Sequence, residues 1–239
     1  MTDPANATHP THPASLTLLH TSPVHVPVFE ALRDRGHPGA VLRHLVVPEL
    51  LDRARTEGPD SVVPDLRELL AGSGGPVLVT CSSIGGVAES LAPELGVAVL
   101  RVDRPMAAEA VRTGPRIMVL ATVESTLAPT VALVAEEAER AGRPVSVRTH
   151  LVAGAWDRFA VGDTAGSLGL VAEAADAVTD ADVIVLAQAS MAEAVPLTTT
   201  RIPLRASPAP GLAAALRAAR QGSVHAHADV DLAARIAPN

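Results

Sequence analysis

The stretch VLVTCSSIGG, residues 77–86, decides how this sequence folds. An apolar, β-branched run stops at Cys81, and Ser82, Ser83 and the pair Gly85 and Gly86 come directly after it. The run reads as a strand, and the residues after Cys81 read as the opening of a helix. The strand is apolar throughout rather than at alternate positions, so both of its faces are covered. That demands a parallel sheet with helices on each side. The chain's only cysteine therefore stands where a strand ends and a helix begins.

Outward from this stretch the same rhythm continues. Strand candidates fall at 16–21, 40–46, 76–81, 98–103, 116–122, 145–152, 182–188 and 202–207. Helix candidates include 26–34, 64–71, 84–95, 106–112, 127–141, 165–178 and 211–220. The reading is an α/β fold of parallel sheets flanked by helices. Residues 1–14 are rich in Thr, Pro, His and Asn and read as a disordered tail, in which His9 and His12 have no ligand-like spacing. The sequon at Asn6 has no meaning without secretion.

The pattern also repeats. VLVTCSSIGG matches IVLAQASMAE, which sets Cys81 on Gln188, Ser83 on Ser190 and Ile84 on Met191. TLLHTSPV (17–24) resembles MVLATVES (118–125). Any two strand–loop–helix units in a chain rich in Ala and Val look alike, so the similarity alone leaves a duplication open.

Composition narrows the function. With 239 residues, 48% of them hydrophobic, the chain buries a real core. Only 1% is aromatic and Tyr is missing, so Ala, Val, Leu and Ile fill that core. A net charge of -7 with no basic face argues against a nucleic-acid partner. No apolar run approaches the roughly 18 residues of a membrane span, and no secretory signal opens the chain. A single cysteine forms no internal disulfide, as expected of a cytoplasmic protein. Every one of the 19 basic residues is Arg. The lysine Schiff base of pyridoxal phosphate enzymes and the P-loop lysine are thereby excluded.

Ligands of open parallel sheets sit beyond the carboxyl ends of the strands. The candidate site residues are thus His20 and Thr21, Cys81 with Ser82 and Ser83, Thr122 with Ser125 and Thr126, and Gln188 with Ala189 and Ser190. A thiol at a helix N-terminus has its ionisation eased by the partial positive charge there, and the same N–H groups bind a carboxylate. His20 ends the first strand and has the ordinary titration range for proton transfer. His25 is a weaker candidate, and His44, inside a strand, reads as structural. Thr122, Ser125 and Thr126 either cap the next helix or clamp a carboxylate.

These blocks resemble the aspartate/glutamate racemase superfamily, which includes hydantoin racemases, maleate isomerases and arylmalonate decarboxylases. VTCSSIGG is similar to its first cysteine motif, and VLRVDRPMAAEAV (99–111), RIMVLATVEST (116–126) and ADVIVLAQASMAE (181–193) look like its later blocks. The likeness runs from about Leu16 to Leu212. It implies an α/β fold of two pseudo-symmetric lobes, 15–113 with 206–239 and 114–205, each a parallel sheet flanked by helices, with the active site in the cleft between them and no cofactor. It also implies a small carboxylate substrate and frequent association of subunits. In the family's racemases two cysteines flank the substrate; one removes a proton and the other delivers one. This chain departs from that pattern. The second cysteine falls on Gln188, which has no proton to exchange near neutral pH, and the histidine after it falls near Ser190. The acidic residue after the first strand is replaced by His20 or Thr21.

The resemblance thus implies a racemase- or isomerase-type enzyme working through Cys81, with His20 as a second base if it racemises. A decarboxylase is the alternative, although the family's decarboxylases carry their cysteine on the other lobe. A carboxylate-binding protein without turnover is the reading from a different class. Trp156 and Phe159 are expected either to seal the second lobe by packing in the core, the first reading, or to line a pocket. Asp103, Arg104 and Glu109 read as structural or interfacial, and His225 to Asp229 is a weak metal motif.

Overall fold

A computed structural model describes residues 14–221. His9, His12, the Asn6 sequon, the His225 to Asp229 motif and all of the expected tail but Ala14 lie outside them. The first sheet comprises β1 (Ser15–His20), β2 (Val41–Val46), β3 (Val77–Val79) and β4 (Val99–Arg101), in the order β2-β1-β3-β4. The second comprises β5 (Arg116–Ala121), β6 (Ser146–Leu151), β7 (Val183–Leu186) and β8 (Leu204–Ala206), in the order β6-β5-β7-β8. All pairings are parallel. The expected α/β fold of two flanked parallel sheets is the one observed.

The two sheets also share one strand order, and their pairings can be set side by side. Ser15 lies opposite Val41, and its counterpart Arg116 lies opposite Ser146. Thr17 lies opposite Val77, and Met118 opposite Ile184. Val77 lies opposite Val99, and Ile184 opposite Leu204. The β1–β3 and β5–β7 pairings agree with the sequence matches of Thr17 to Met118 and of Val77 to Ile184, so the halves are alike in topology and at this pairing in register. Continued along the chain, the register sets Thr21 on Thr122 and Cys81 on Gln188.

The helices are α1 (His25–Gly36), α2 (Glu49–Glu57), α3 (Val63–Ala71), α4 (Ser82–Ser90), α5 (Ala92–Leu95), α6 (Arg104–Thr113), α7 (Leu127–Ala141), α8 (Ala155–Ala160), α9 (Thr164–Asp176) and α10 (208–221). The expected helix over 84–95 is two, because Pro93 has no N–H to continue the ladder. The sequence ELLDRARTE of α2 is highly charged and buries only Leu50 and Ala54, which hid it from the periodicity. A 3-10 segment (Ala189–Leu197) succeeds β7 where α4 succeeds β3.

Each sheet has apolar packing on both faces. Leu19, Val77 and Val79 meet Leu50, Leu66, Leu70 and Ile84 on one side of the first sheet. Leu16, Leu18 and Leu78 meet Phe29, Leu212 and Leu216 on the other. Ties between the halves include Ser82 Oγ donating to the Ala187 carbonyl at 3.2 Å, Arg104 bridging Glu89 of α4 to Glu136 (3.0 Å) and Glu137 (2.6 Å) of α7, and Arg205 of β8 pairing with Glu109 of α6 at 3.5 Å. Among the described residues no helix is long and apolar enough to cross a membrane.

Helix α10 approaches the first sheet through Gly211, where an added Cβ would stand 2.4 Å from the Val102 carbonyl oxygen. Gly211→Ala is expected to lower the unfolding free energy by about 1–3 kcal/mol, measured by urea denaturation. Gly169→Ala, with open space around it in α9, is expected to raise stability by about 0.5–1 kcal/mol.

Candidate active site

One cavity lies between the two sheets and is lined only by segments just past strand ends or by helices packed over them. The first sheet's side contributes Thr21, Ser22 and His25 after β1, Leu51 and Arg55 of α2, and Thr80 to Ser83 after β3. The second contributes Thr126, Trp156 and Phe159, and Gln188 to Ser190 after β7. Its volume is about 80 Å³ as mapped by the centre of a water-sized sphere, against roughly 10–15 Å³ for a single water. That is room for a small molecule of a few non-hydrogen atoms.

Cys81 and Gln188, the residues equated by the repeat, meet in this cavity from opposite sides. Cys81 occupies the N-cap position of α4, with an extended backbone (φ -108°, ψ 117°), and its side chain makes no capping bond. It is buried, packed on one side against the aliphatic cluster of the first sheet. Gln188 is fixed by Thr122, whose backbone N–H and hydroxyl both donate to Oε1, at 2.6 and 3.0 Å. A backbone N–H can only donate, so the atom facing it must be the oxygen. The amide nitrogen is left as the end that can donate to a ligand. Thr122 therefore acts through Gln188 and does not itself line the cavity.

His20 does not reach the cavity. It is fully buried, with Nδ1 2.8 Å from Thr80 Oγ1 and Nε2 2.8 Å from His44 Nδ1. His44 Nε2 in turn lies 2.9 Å from Glu30 Oε1. Both His20 nitrogens are thus occupied, and burial, with His25 and His44 close by, pushes its pKa down to about 3. The imidazole that lines the cavity is His25, at the start of α1. Its Nδ1 is buried without a hydrogen-bond partner, and burial pushes its pKa down to about 4. A histidine one turn past the strand is a less obvious candidate than one at its end, so position along the chain favours His20 over His25.

The other expected residues divide. Thr21, Ser82, Ser83, Thr126, Ala189 and Ser190 line the cavity, whereas Ser125 is exposed and outside it. The glycine pair accommodates a side chain and no ligand: Cβ atoms at Gly85 and Gly86 would lie 3.3 and 3.2 Å from Arg101. Arg101 forms a buried two-point pair with Asp103, both contacts at 3.0 Å. Trp156 and Phe159 take the second of their two expected placements and line the cavity, with ring centroids 5.6 Å apart. Leu51 and Arg55 carry no signal in the sequence, because nothing local marks α2 as a helix.

Comparison with solved structures gives a consistent answer. A glutamate racemase from Aquifex pyrophilus superposes with a TM-score of 0.58 at 15% identity, over 84% of this chain and 82% of that one. An aspartate racemase from Picrophilus torridus gives 0.59 at 14% identity, over 86% and 93%. The fold is that of the Asp/Glu racemase superfamily. A liganded arylmalonate decarboxylase, with one glycine replaced by cysteine and one cysteine by serine, gives 0.55 at 21% identity, over 87% and 92%. No family model and no curated sequence matches the chain. Within this superfamily fold, the titratable groups of the cavity all come from the first sheet's side: Cys81, His25 and Arg55.

Buried His20 and partly buried His25 make stability depend on pH. In the unfolded chain they take up protons as pH falls through about 6.5. In the folded protein they stay neutral down to about 3 for His20 and about 4 for His25. Stability from this source is full above pH 6.5 and is lost as pH falls toward 4. Each histidine contributes a slope of about 1.4 kcal/mol per pH unit in that window. Urea unfolding at pH 7, 6 and 5 measures the slope, and His25→Gln is expected to remove about half of it.

Proposed function

We propose that this protein is a cofactor-independent enzyme of the isomerase type, acting on a small carboxylic acid at carbon adjacent to the carboxylate through Cys81. The observation that carries the reading is the pairing of one thiol with one amide donor, Cys81 and Gln188, across a cavity for a few non-hydrogen atoms. Racemisation through two bases needs a second proton carrier on the far side. That side offers Thr126, Trp156, Phe159, Gln188, Ala189 and Ser190, none of which exchanges a proton near neutral pH. A reaction that uses one thiol fits the set.

In the reaction we propose, the Cys81 thiolate adds to an alkene carbon of an unsaturated diacid, adjacent to one carboxylate and β to the other, and forms a C–S bond. The π electron pair moves onto the α-carbon and its carboxylate. The Gln188 amide and the N–H groups opening α4 donate to the resulting enediolate. Rotation about the new single bond and expulsion of the thiolate give the other geometric isomer, with no net proton taken up. His25, neutral by its environment, would hold the substrate by a hydrogen bond. The division into lobes 15–113 with 206–239 and 114–205 belongs to the same reading; the packing of α10 against Leu16 and Leu18 supports the return of the later segment to the first lobe, while Met106, Ala107, Ala110 and Val111 of α6 pack against the second sheet.

A second reading is decarboxylation of a malonate-type acid, in which the C–C bond to one carboxylate breaks and Cys81 protonates the enediolate left behind. The aromatic wall of Trp156 and Phe159 and the likeness in fold to arylmalonate decarboxylase favour it. Incubation of maleate and of an arylmalonate in deuterated water separates the two. Isomerisation yields product without deuterium or carbon dioxide; decarboxylation releases carbon dioxide and leaves one deuterium. In either case Cys81→Ala is expected to lower turnover about 10²–10⁴-fold and Gln188→Ala about 10²-fold. Full activity in Cys81→Ala overturns the reading.

A further inference from the structure

The polar groups lining the cavity are mostly neutral: hydroxyls of Thr and Ser, the amide of Gln188 and the imidazole of His25, which burial keeps uncharged. Arg55 of α2 is the one fixed charge among them. Its guanidinium lies over the indole of Trp156, 5.5 Å from the ring centroid, reaching from the first sheet's side to the second's. The neighbouring cations are neutralised, Arg53 by Asp65 and Arg158 by Asp163. No carboxylate among the described residues pairs with Arg55. A guanidinium held over an aromatic ring and not by an acid keeps N–H groups available, and these match the two oxygens of a carboxylate. The indole is itself held by Phe159. An exposed arginine fixed by a ring rather than by an acid is a cation left for a ligand.

We propose that Arg55, laid on Trp156, is the specificity-determining residue that makes the Cys81 cavity select anionic over neutral ligands. This rests on the reading of Cys81 as the working thiol, and it adds the residue that recognises charge. The anion is held between the guanidinium edge of Arg55 and the donors at the opening of α4. Leu51 and Val24 give the remaining wall its apolar character.

The test compares two alkylating reagents of nearly equal size, anionic iodoacetate and neutral iodoacetamide, on the full chain. Cys81 is the only thiol, so each rate constant reports on it alone. In Arg55→Gln the ratio of the iodoacetate to the iodoacetamide rate constant is expected to fall about fivefold, with the iodoacetamide rate unchanged within about twofold. Arg55→Lys, which keeps the charge, is expected to retain most of the ratio. Salt at about 0.5 M is expected to lower the ratio in the parent and leave it unchanged in Arg55→Gln. An equal ratio in parent and Arg55→Gln overturns the proposal. A thiol that reacts with neither reagent until the protein is unfolded overturns the reading of Cys81 instead. Arg55 is then judged separately by quenching of Trp156, the chain's only indole, with iodide and with acrylamide. Arg55→Gln is expected to reduce the iodide-to-acrylamide quenching ratio about threefold, and no reduction overturns the proposal.

Discussion

Parallel pairing governs everything else in this molecule. Parallel strands cannot be joined by tight turns, so every connection crosses back over the sheet and every strand of a sheet ends at the same edge. Residues just past β1 and β3 are therefore neighbours, as are those just past β5 and β7. Two sheets with these edges turned toward one gap place Thr21, Cys81, Thr126 and Gln188 around it. The apolar faces behind them, covered by helices on both sides, supply the rigidity that keeps the four in place.

Much of this is legible in the residues. Continuous apolar runs such as VIVL and VLV state that both faces are covered, and that alone selects a parallel sheet. Each of the strands lies within a residue of a span read from the sequence, because β-branched runs bounded by turn residues are local signals. Cys81 and Gln188 emerge by the same logic. The features that escape a sequence reading depend on long-range packing. Helix α2 carries few apolar residues, so nothing local marks it, and Leu51 and Arg55 go with it. Trp156 looks like core because large aromatics usually are, yet the sheets here are packed with aliphatic side chains and leave the indole to the cavity.

The two histidines show where reading by position reaches its limit. One ends β1 and the other lies just past it, and sequence order favours the one at the strand end. Alternation along the strand turns the His20 ring away from the gap, into contact with Thr80 and His44, while α1 returns His25 to it. Burial then holds both rings uncharged, by the same desolvation, for different ends. One ring closes a chain of hydrogen bonds inside the protein, and the other leaves a nitrogen open.

The two sheets present equivalent strand ends to one gap. Walls built alike in this way can carry like residues, and chemistry drawn from like walls is mirror-like. Here the sulfur stands on one wall and the carboxamide on the other. A molecule entering the gap therefore meets two unlike faces, with the thiol on one of them alone.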